Sequence, residues 1–174
     1  MTTDQTALWE SAASAFDERH RLVRPEHHSL PTPCSEFDVA GLVDHAVGTQ
    51  IGIGRDLGGD AGDGASWNDA RSAMTAALSA PGALDGDIEH PALGSMPRTH
   101  LLAIATNDLL IHTWDLSRAI GADDTLPDQN LQPAIDGIEA FPPPARAALF
   151  GAPLDGSDTA STQDRLLAVA GRRP

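Results

Sequence analysis

Proline and glycine residues divide this chain into segments whose apolar residues recur at helical spacing, and this pattern constrains the fold most. The clearest segment covers residues 97–120: it opens with a proline, which a helix tolerates in its first turn, and it ends before Gly121. Most apolar residues are Ala, Leu, Ile and Val, aromatic residues make up 4% of the chain, and Tyr is absent. This composition favours helices over sheets.

The same spacing predicts further helices along the chain. We expect residues 56–66, which are rich in Gly and Asp, to form a loop, and residues 84–96 to be irregular. Asp38 has the position and chemistry of an N-cap for the second helix. The predicted helices are residues 4–24, 39 to about 54–59, 67–80, 97–120, 131–140, 145–150 and 162–170. The chain is therefore predicted to be an all-α single domain over residues 1–174, with a four-helix bundle at about 4–121 and a short C-terminal helical extension at about 131–170.

Charge and cysteine content exclude several classes of partner. The net charge is −14, the isoelectric point is about 4.6, and all 11 basic residues other than histidine are arginines. Such a balance argues against nucleic acid and anionic membranes, because phosphate contacts need clusters of Lys and Arg. Cys34 alone cannot form an internal disulfide, and neither a signal peptide nor an apolar run long enough to span a membrane is present. We expect a soluble cytoplasmic protein, with a homodimer left open.

One face of the helix at residues 97–120 carries three polar side chains. Asp108, His112 and Asp115 follow one another at i, i+4 and i+7, so they stack on that face. His45 lies midway along the second predicted helix, beside its apolar face. In an antiparallel bundle, mid-helix positions on facing helices approach each other, and inward carboxylates and histidines build metal sites. The spacing therefore predicts a divalent metal held by His45, Asp108 and His112.

Several neighbouring residues have more than one predicted role. Three protein ligands would leave coordination positions open, as in catalytic sites, and Asp115 would either orient the second ring nitrogen of His112 or act as a substitute ligand. Trp114 is expected to be a packing residue or a pocket wall. Arg118 is expected to form a surface ion pair or to receive a substrate carboxylate. Cys34 is expected to be a small hydrophobic residue at the start of a helix.

Two segments of the chain, which contain the predicted metal ligands, resemble a known family. Residues 33–45, PCSEFDVAGLVDH, resemble the PC-x-x-W-x-V-x-x-L-x-x-H segment of the DinB/YfiT-like superfamily, and more narrowly its actinobacterial mycothiol-dependent maleylpyruvate isomerase branch. Residues 108–116, DLLIHTWDL, are similar to the E-x-x-x-H-x-x-D-L segment of that branch. Residues 164–172 resemble the tail of a related actinobacterial family. Phe37 replaces the tryptophan of the first segment, and Asp108 replaces the glutamate of the second.

The resemblance implies a four-helix bundle in which His45, Asp108 and His112 hold a divalent metal, with zinc or nickel as the expected ion. It also implies a low-molecular-weight thiol such as mycothiol as a co-substrate, and an electrophilic small molecule as its partner. The expected reaction is S-transfer, or isomerisation where the addition reverses. A metal-dependent hydrolase, and a non-catalytic bundle that binds a metal or a small molecule, stay open as alternatives.

Overall fold

A computed structural model describes residues 4–91, 93–154 and 161–173. Within these ranges the chain is mainly helical, as predicted, with seven α-helices, a one-turn 3-10 helix at Pro25–His27 and a two-stranded antiparallel sheet. The elements are α1 (Gln5–His20), α2 (Val39–Asp56), α3 (Trp67–Leu78), β1 (Asp87–His90), β2 (Gly94–Pro97), α4 (Arg98–Ile120), α5 (Asp128–Glu139), α6 (Pro143–Leu149) and α7 (Thr162–Val169).

The two helices that carry the predicted site begin and end where their sequences indicate. Asp38 caps α2, because its carboxylate accepts a hydrogen bond from the backbone N–H of Gly41 at 2.9 Å. Helix α4 follows Pro97 and ends at Gly121, which has a φ of +69°. Glycine adopts this left-handed conformation without steric cost, so it closes the helix.

The first helix is shorter than its apolar pattern predicts. We expected it to reach Arg24, but it ends at His20. The backbone N–H of Leu22 donates to the carbonyl of Arg19, and that of Val23 donates to His20. These i→i+3 bonds tighten the last turn and end the α-helix, although the apolar spacing continues for two more residues.

The segment predicted to be irregular, residues 84–96, instead contains most of a β-hairpin. Strands β1 and β2 pair with Ile88 opposite Met96, and both side chains pack against the core. Gly94, the first residue of β2, has a φ of +77° and pairs with His90. The prediction was wrong because each strand contributes a single apolar core contact, too few for an alternating pattern to be visible in the sequence.

Helix α4 lies at the centre of the molecule, where α1, α2 and α5 pack against it. A buried hydrogen-bond network joins three of these helices: Trp9 Nε1 of α1 donates to Gln50 Oε1 of α2 at 2.9 Å, and Gln50 Nε2 donates to the carbonyl of Ala105 in α4 at 3.0 Å. Because buried polar groups that lose a partner are costly, this network fixes how α2 lies against α4.

The C-terminal helices close onto the same core. Helix α5 packs on α7, α4 and α1, and Leu166 and Leu167 of α7 are fully buried. None of the helices in the described ranges is long and apolar enough to cross a membrane. The packing of α7 brings the residues that follow it to the region where α2 and α4 carry their polar side chains.

Candidate metal centre

Three side chains from α2 and α4 meet at one point. His45 Nε2 donates a hydrogen bond to Asp108 Oδ1 at 3.2 Å, and His112 Nε2 lies 3.6 Å from the same oxygen. One ligand atom from each of the three residues lies within 4.8 Å of the other two. The structure therefore brings together the residues that the sequence pattern singled out, and the aspartate is long enough to reach both histidine rings.

The second carboxylate oxygen of Asp108 lacks a hydrogen-bond partner. Asp108 Oδ2 is buried and has no hydrogen-bond partner, and the side chain as a whole is 17% exposed. A buried carboxylate oxygen without a partner is energetically costly unless a donor or a cation occupies its neighbourhood. Two imidazole nitrogens and a carboxylate match the ligand set of divalent transition metals such as zinc. The residues present therefore fit a metal ion.

The orientation of His112 is set from the opposite side of its ring. Its Nδ1 lies 3.0 Å from Oδ2 of Asp115, a carboxylate with no solvent exposure. An ionised carboxylate only accepts hydrogen bonds, so the Nδ1 of His112 carries the proton and donates. The neutral ring then has its lone pair on Nε2, the nitrogen that faces Asp108.

Asp115 is in turn held by Arg172, which follows α7. Arg172 Nε donates to Asp115 Oδ1 at 3.1 Å, and one terminal nitrogen donates to Oδ2 at 2.9 Å, so the pair is bidentate. The other terminal nitrogen donates to the carbonyls of Phe150 at 2.7 Å and Ala170 at 3.0 Å. The guanidinium thus fixes the position of Asp115 and neutralises its buried charge.

A glycine makes this contact sterically possible. Gly171 has a φ of +72°, and a Cβ built on it would lie 2.7 Å from the carbonyl oxygen of Ala152. A side chain at this position would be both strained and in collision with backbone. Gly171 therefore allows the chain to turn after α7 so that Arg172 reaches Asp115.

The charges of the cluster shift the protonation of its members. The pKa of His45 is raised because Asp108 accepts its hydrogen bond and stabilises the imidazolium form, although burial acts in the opposite direction. Burial acts to lower the pKa of Arg172, but the hydrogen bonds and the charge of Asp115 outweigh it and the pKa is raised. Arg172 therefore stays charged at any physiological pH.

The cluster opens into a cavity of about 720 Å³. Phe37, which replaces the tryptophan of the resembled segment, lines it and stacks on His45 with the ring centroids 4.9 Å apart. Cys34 also lines the cavity, and its sulfur lies within 4.8 Å of ligand atoms of His112 and Asp115. Burial raises the pKa of the Cys34 thiol, so the neutral thiol is the favoured form.

Two residues considered as substrate contacts lie elsewhere. Trp114 is buried in the hydrophobic core at 1% exposure and does not line this cavity. Arg118 lies over the Trp114 ring and forms an ion pair with Asp124 at 3.1 Å. The surface ion pair is thus the arrangement that the structure shows for Arg118, and a cavity contact with a substrate carboxylate is not.

Sequence reasoning missed the parts of the site that come from irregular segments. Cys34 was expected to be a small hydrophobic residue at a helix start, and it does pack against the core in the stretch before α2, but it also lines the cavity. Arg172 was given no role. The one available signal was the resemblance of residues 164–172 to a family tail, which identifies a segment but no function for its arginine.

Comparison with known proteins places the chain in a family. It is 31% identical over 125 residues to two proteins of Mycobacterium tuberculosis, uncharacterized protein MT0763 and uncharacterized protein Rv0738, and the matched region covers 68% of each chain. The chain belongs to the family of these mycobacterial proteins. No protein-family model matches the chain. No solved structure matches it either.

Proposed function

We propose that this protein is a divalent-metal-dependent enzyme that activates a low-molecular-weight thiol and adds it to an electrophilic small molecule, as an S-transferase or an isomerase. Mycothiol is the thiol that the DinB/YfiT-like resemblance implies. Helices α1–α4 would form the four-helix bundle of that superfamily. The observation that carries the proposal is the Asp108 carboxylate: its Oδ1 lies 3.2 Å and 3.6 Å from the Nε2 atoms of His45 and His112, and its Oδ2 is buried without a hydrogen-bond partner. The actinobacterial source of the relatives agrees with the resemblance.

Zinc or nickel is the ion that we expect, since imidazole ligands suit both. His45, Asp108 and His112 would hold the ion, and Asp115 would keep His112 in the tautomer that a metal requires. Three protein ligands leave room for an exogenous ligand. A bound divalent metal lowers the pKa of a coordinated thiol, which makes the thiolate nucleophile available at neutral pH.

Residues around the cluster would shape the cavity in which the substrates meet. Phe37 covers one face of His45. The cavity of about 720 Å³ extends beyond the cluster and has room for an electrophile next to the thiol. Arg172 holds Asp115 in place, so the hydrogen-bond acceptor of His112 Nδ1 would not move during turnover.

The first experiment measures the metal. Elemental analysis of the purified protein is expected to give one divalent ion per chain, and His45→Ala and His112→Ala are each expected to lose it. His100→Ala is the matched control, because His100 lies exposed in the first turn of the same helix as His112. Metal retained in both site variants would refute the centre.

The second experiment tests the thiol. Cobalt-substituted protein is expected to develop a thiolate-to-metal absorption band when mycothiol is added, and His112→Ala is expected to abolish the band. Metal-dependent conjugation of mycothiol to a panel of electrophiles would then identify the reaction. A stoichiometric metal without any thiolate band would reject the thiol and favour the hydrolase alternative.

A further inference from the structure

The cavity next to the cluster of His45, Asp108 and His112 is large enough for an organic ligand. At about 720 Å³ it falls within the range of small-molecule sites, about 300–1,000 Å³. It extends from Arg172 and the cluster to Asp56 at the end of α2 and His90 at the end of β1. The residues between these two ends can therefore select the substrate.

The charge of the cavity wall disfavours anions. Three carboxylates line it, those of Glu36, Asp56 and Asp108. Among the described lining residues the one arginine is Arg172, and its charge is already neutralised by the bidentate contact with Asp115. A divalent ion would offset two of the three carboxylate charges, and a bound thiolate would restore one negative charge. No arginine or lysine of the described wall is left to receive a substrate carboxylate.

The end of the cavity away from Arg172 has a hydrogen-bond acceptor, Asp56, next to apolar side chains. His90 Nδ1 accepts a hydrogen bond from the backbone N–H of Leu93 at 3.2 Å, so the neutral ring carries its proton on Nε2, 3.6 Å from Asp56 Oδ2. The Asp56 side chain is 36% exposed and keeps further acceptor capacity. Ile53, Leu93 and Ile104 line the space next to this pair.

We infer that the organic substrate filling this cavity carries no carboxylate or phosphate, presents an apolar body to Ile53, Leu93 and Ile104, and donates a hydrogen bond to Asp56 from an amine or hydroxyl group. The inference rests on the proposed function in treating the ligand as a substrate. The preference for uncharged or cationic molecules is a property of the cavity itself and can be tested without turnover.

A size-matched series of ligands tests this preference. Hexylamine, 1-hexanol and hexanoate are titrated into the 174-residue chain after chelator treatment, so that the carboxylate of hexanoate cannot bind an ion, and binding is followed by the methyl NMR shifts of Ile53 and Ile104. Hexanoate is expected to bind about tenfold more weakly than 1-hexanol, because its charge faces the carboxylates of Glu36, Asp56 and Asp108. Hexylamine is expected to bind at least as tightly as 1-hexanol.

A variant separates the role of Asp56 from that of the overall negative charge of the protein. Asp56→Asn is expected to reduce the preference for hexylamine over 1-hexanol about threefold, whereas Asp60→Asn, in the exposed loop outside the cavity, leaves it unchanged. Hexanoate binding as tightly as 1-hexanol, an unchanged preference in Asp56→Asn, or no methyl shift with any ligand would overturn the inference. None of these outcomes alters the metal content, which tests the proposed function separately.

Discussion

At the scale of single side chains, Arg172 influences the candidate centre although it touches none of the three proposed ligands. It acts through Asp115, whose wholly buried carboxylate accepts a hydrogen bond from His112 Nδ1. A buried carboxylate that loses its charge partner is strongly destabilised. The position of the His112 Nε2 atom, which lies next to Asp108, thus depends on a contact made at the opposite edge of the ring.

Replacing Arg172 should therefore impair both stability and metal binding. We expect Arg172→Ala to lower the free energy of unfolding by about 3 kcal/mol and to weaken zinc affinity by about 10- to 100-fold. Urea denaturation and competition with a chromogenic chelator measure the two effects. Arg172→Lys should recover the stability only in part, because an ammonium cannot bind the carboxylate bidentately.

Two controls separate positioning from general damage. Arg173→Ala changes an exposed neighbour and should leave both measurements unchanged. Addition of methylguanidine to Arg172→Ala should restore zinc affinity if the guanidinium positions Asp115. Lost stability combined with unaltered zinc affinity would show that Arg172 serves packing alone.

The raised pKa of His45 gives a prediction about pH. A histidine whose pKa is higher in the folded than in the unfolded state stabilises the fold fully below the unfolded pKa, about 6.5, and this contribution is lost as the pH rises through the folded pKa. In chelator-treated protein, the stability difference between wild type and His45→Gln should therefore be largest in mildly acidic solution and should shrink toward alkaline pH.

Urea denaturation across that pH range provides the measurement. His100→Gln is the matched control, since His100 is exposed. A stability difference that increases with pH would contradict the assignment of Asp108 as the group that stabilises the imidazolium form.

At the scale of elements, the turn after α7 matters as much as the helices. We expect Gly171→Ala to destabilise the protein and to weaken metal binding, because a Cβ there collides with the carbonyl of Ala152 and displaces Arg172. Gly121→Ala is the matched control: its φ is +69°, but nothing lies within 4 Å of the added Cβ. It should cost only the conformational strain, about 1 kcal/mol, and leave zinc affinity intact.

Chelator competition and urea denaturation on both glycine variants distinguish the two cases. Equal zinc affinity in Gly171→Ala and Gly121→Ala would show that the turn does not control the centre.

The elements also show how far the sequence alone could lead. The cap at Asp38 and the proline before α4 are local signals, so the two helices of the site were predictable, and helical spacing indicated which of their faces carries His45, Asp108 and His112. The path of the segment that holds Cys34 and the turn that delivers Arg172 depend on tertiary packing. No local period encodes such contacts, and for the same reason the β-hairpin was missed.

At the scale of the whole molecule, the net charge of −14 destabilises the folded state, because its negative charges repel one another. Raising sodium chloride from about 0.01 M to about 0.15 M shortens the screening length from about 30 Å to about 8 Å. We expect the free energy of unfolding, measured with urea as an uncharged denaturant, to increase over this range. A decrease would show that surface ion pairs such as Arg118–Asp124 outweigh the repulsion.

The ion pair between Asp115 and Arg172 joins residues 57 positions apart, and this separation orders the events of folding. Closing so long a loop costs chain entropy before any contact compensates for it, so the pair forms only once α7 docks. Burying Asp115 before that would leave a desolvated carboxylate without its cation, so α4 can gain this burial only when α7 docks. We therefore expect the centre to be completed late in folding, and a metal that binds earlier would meet a His112 ring that is still free to rotate.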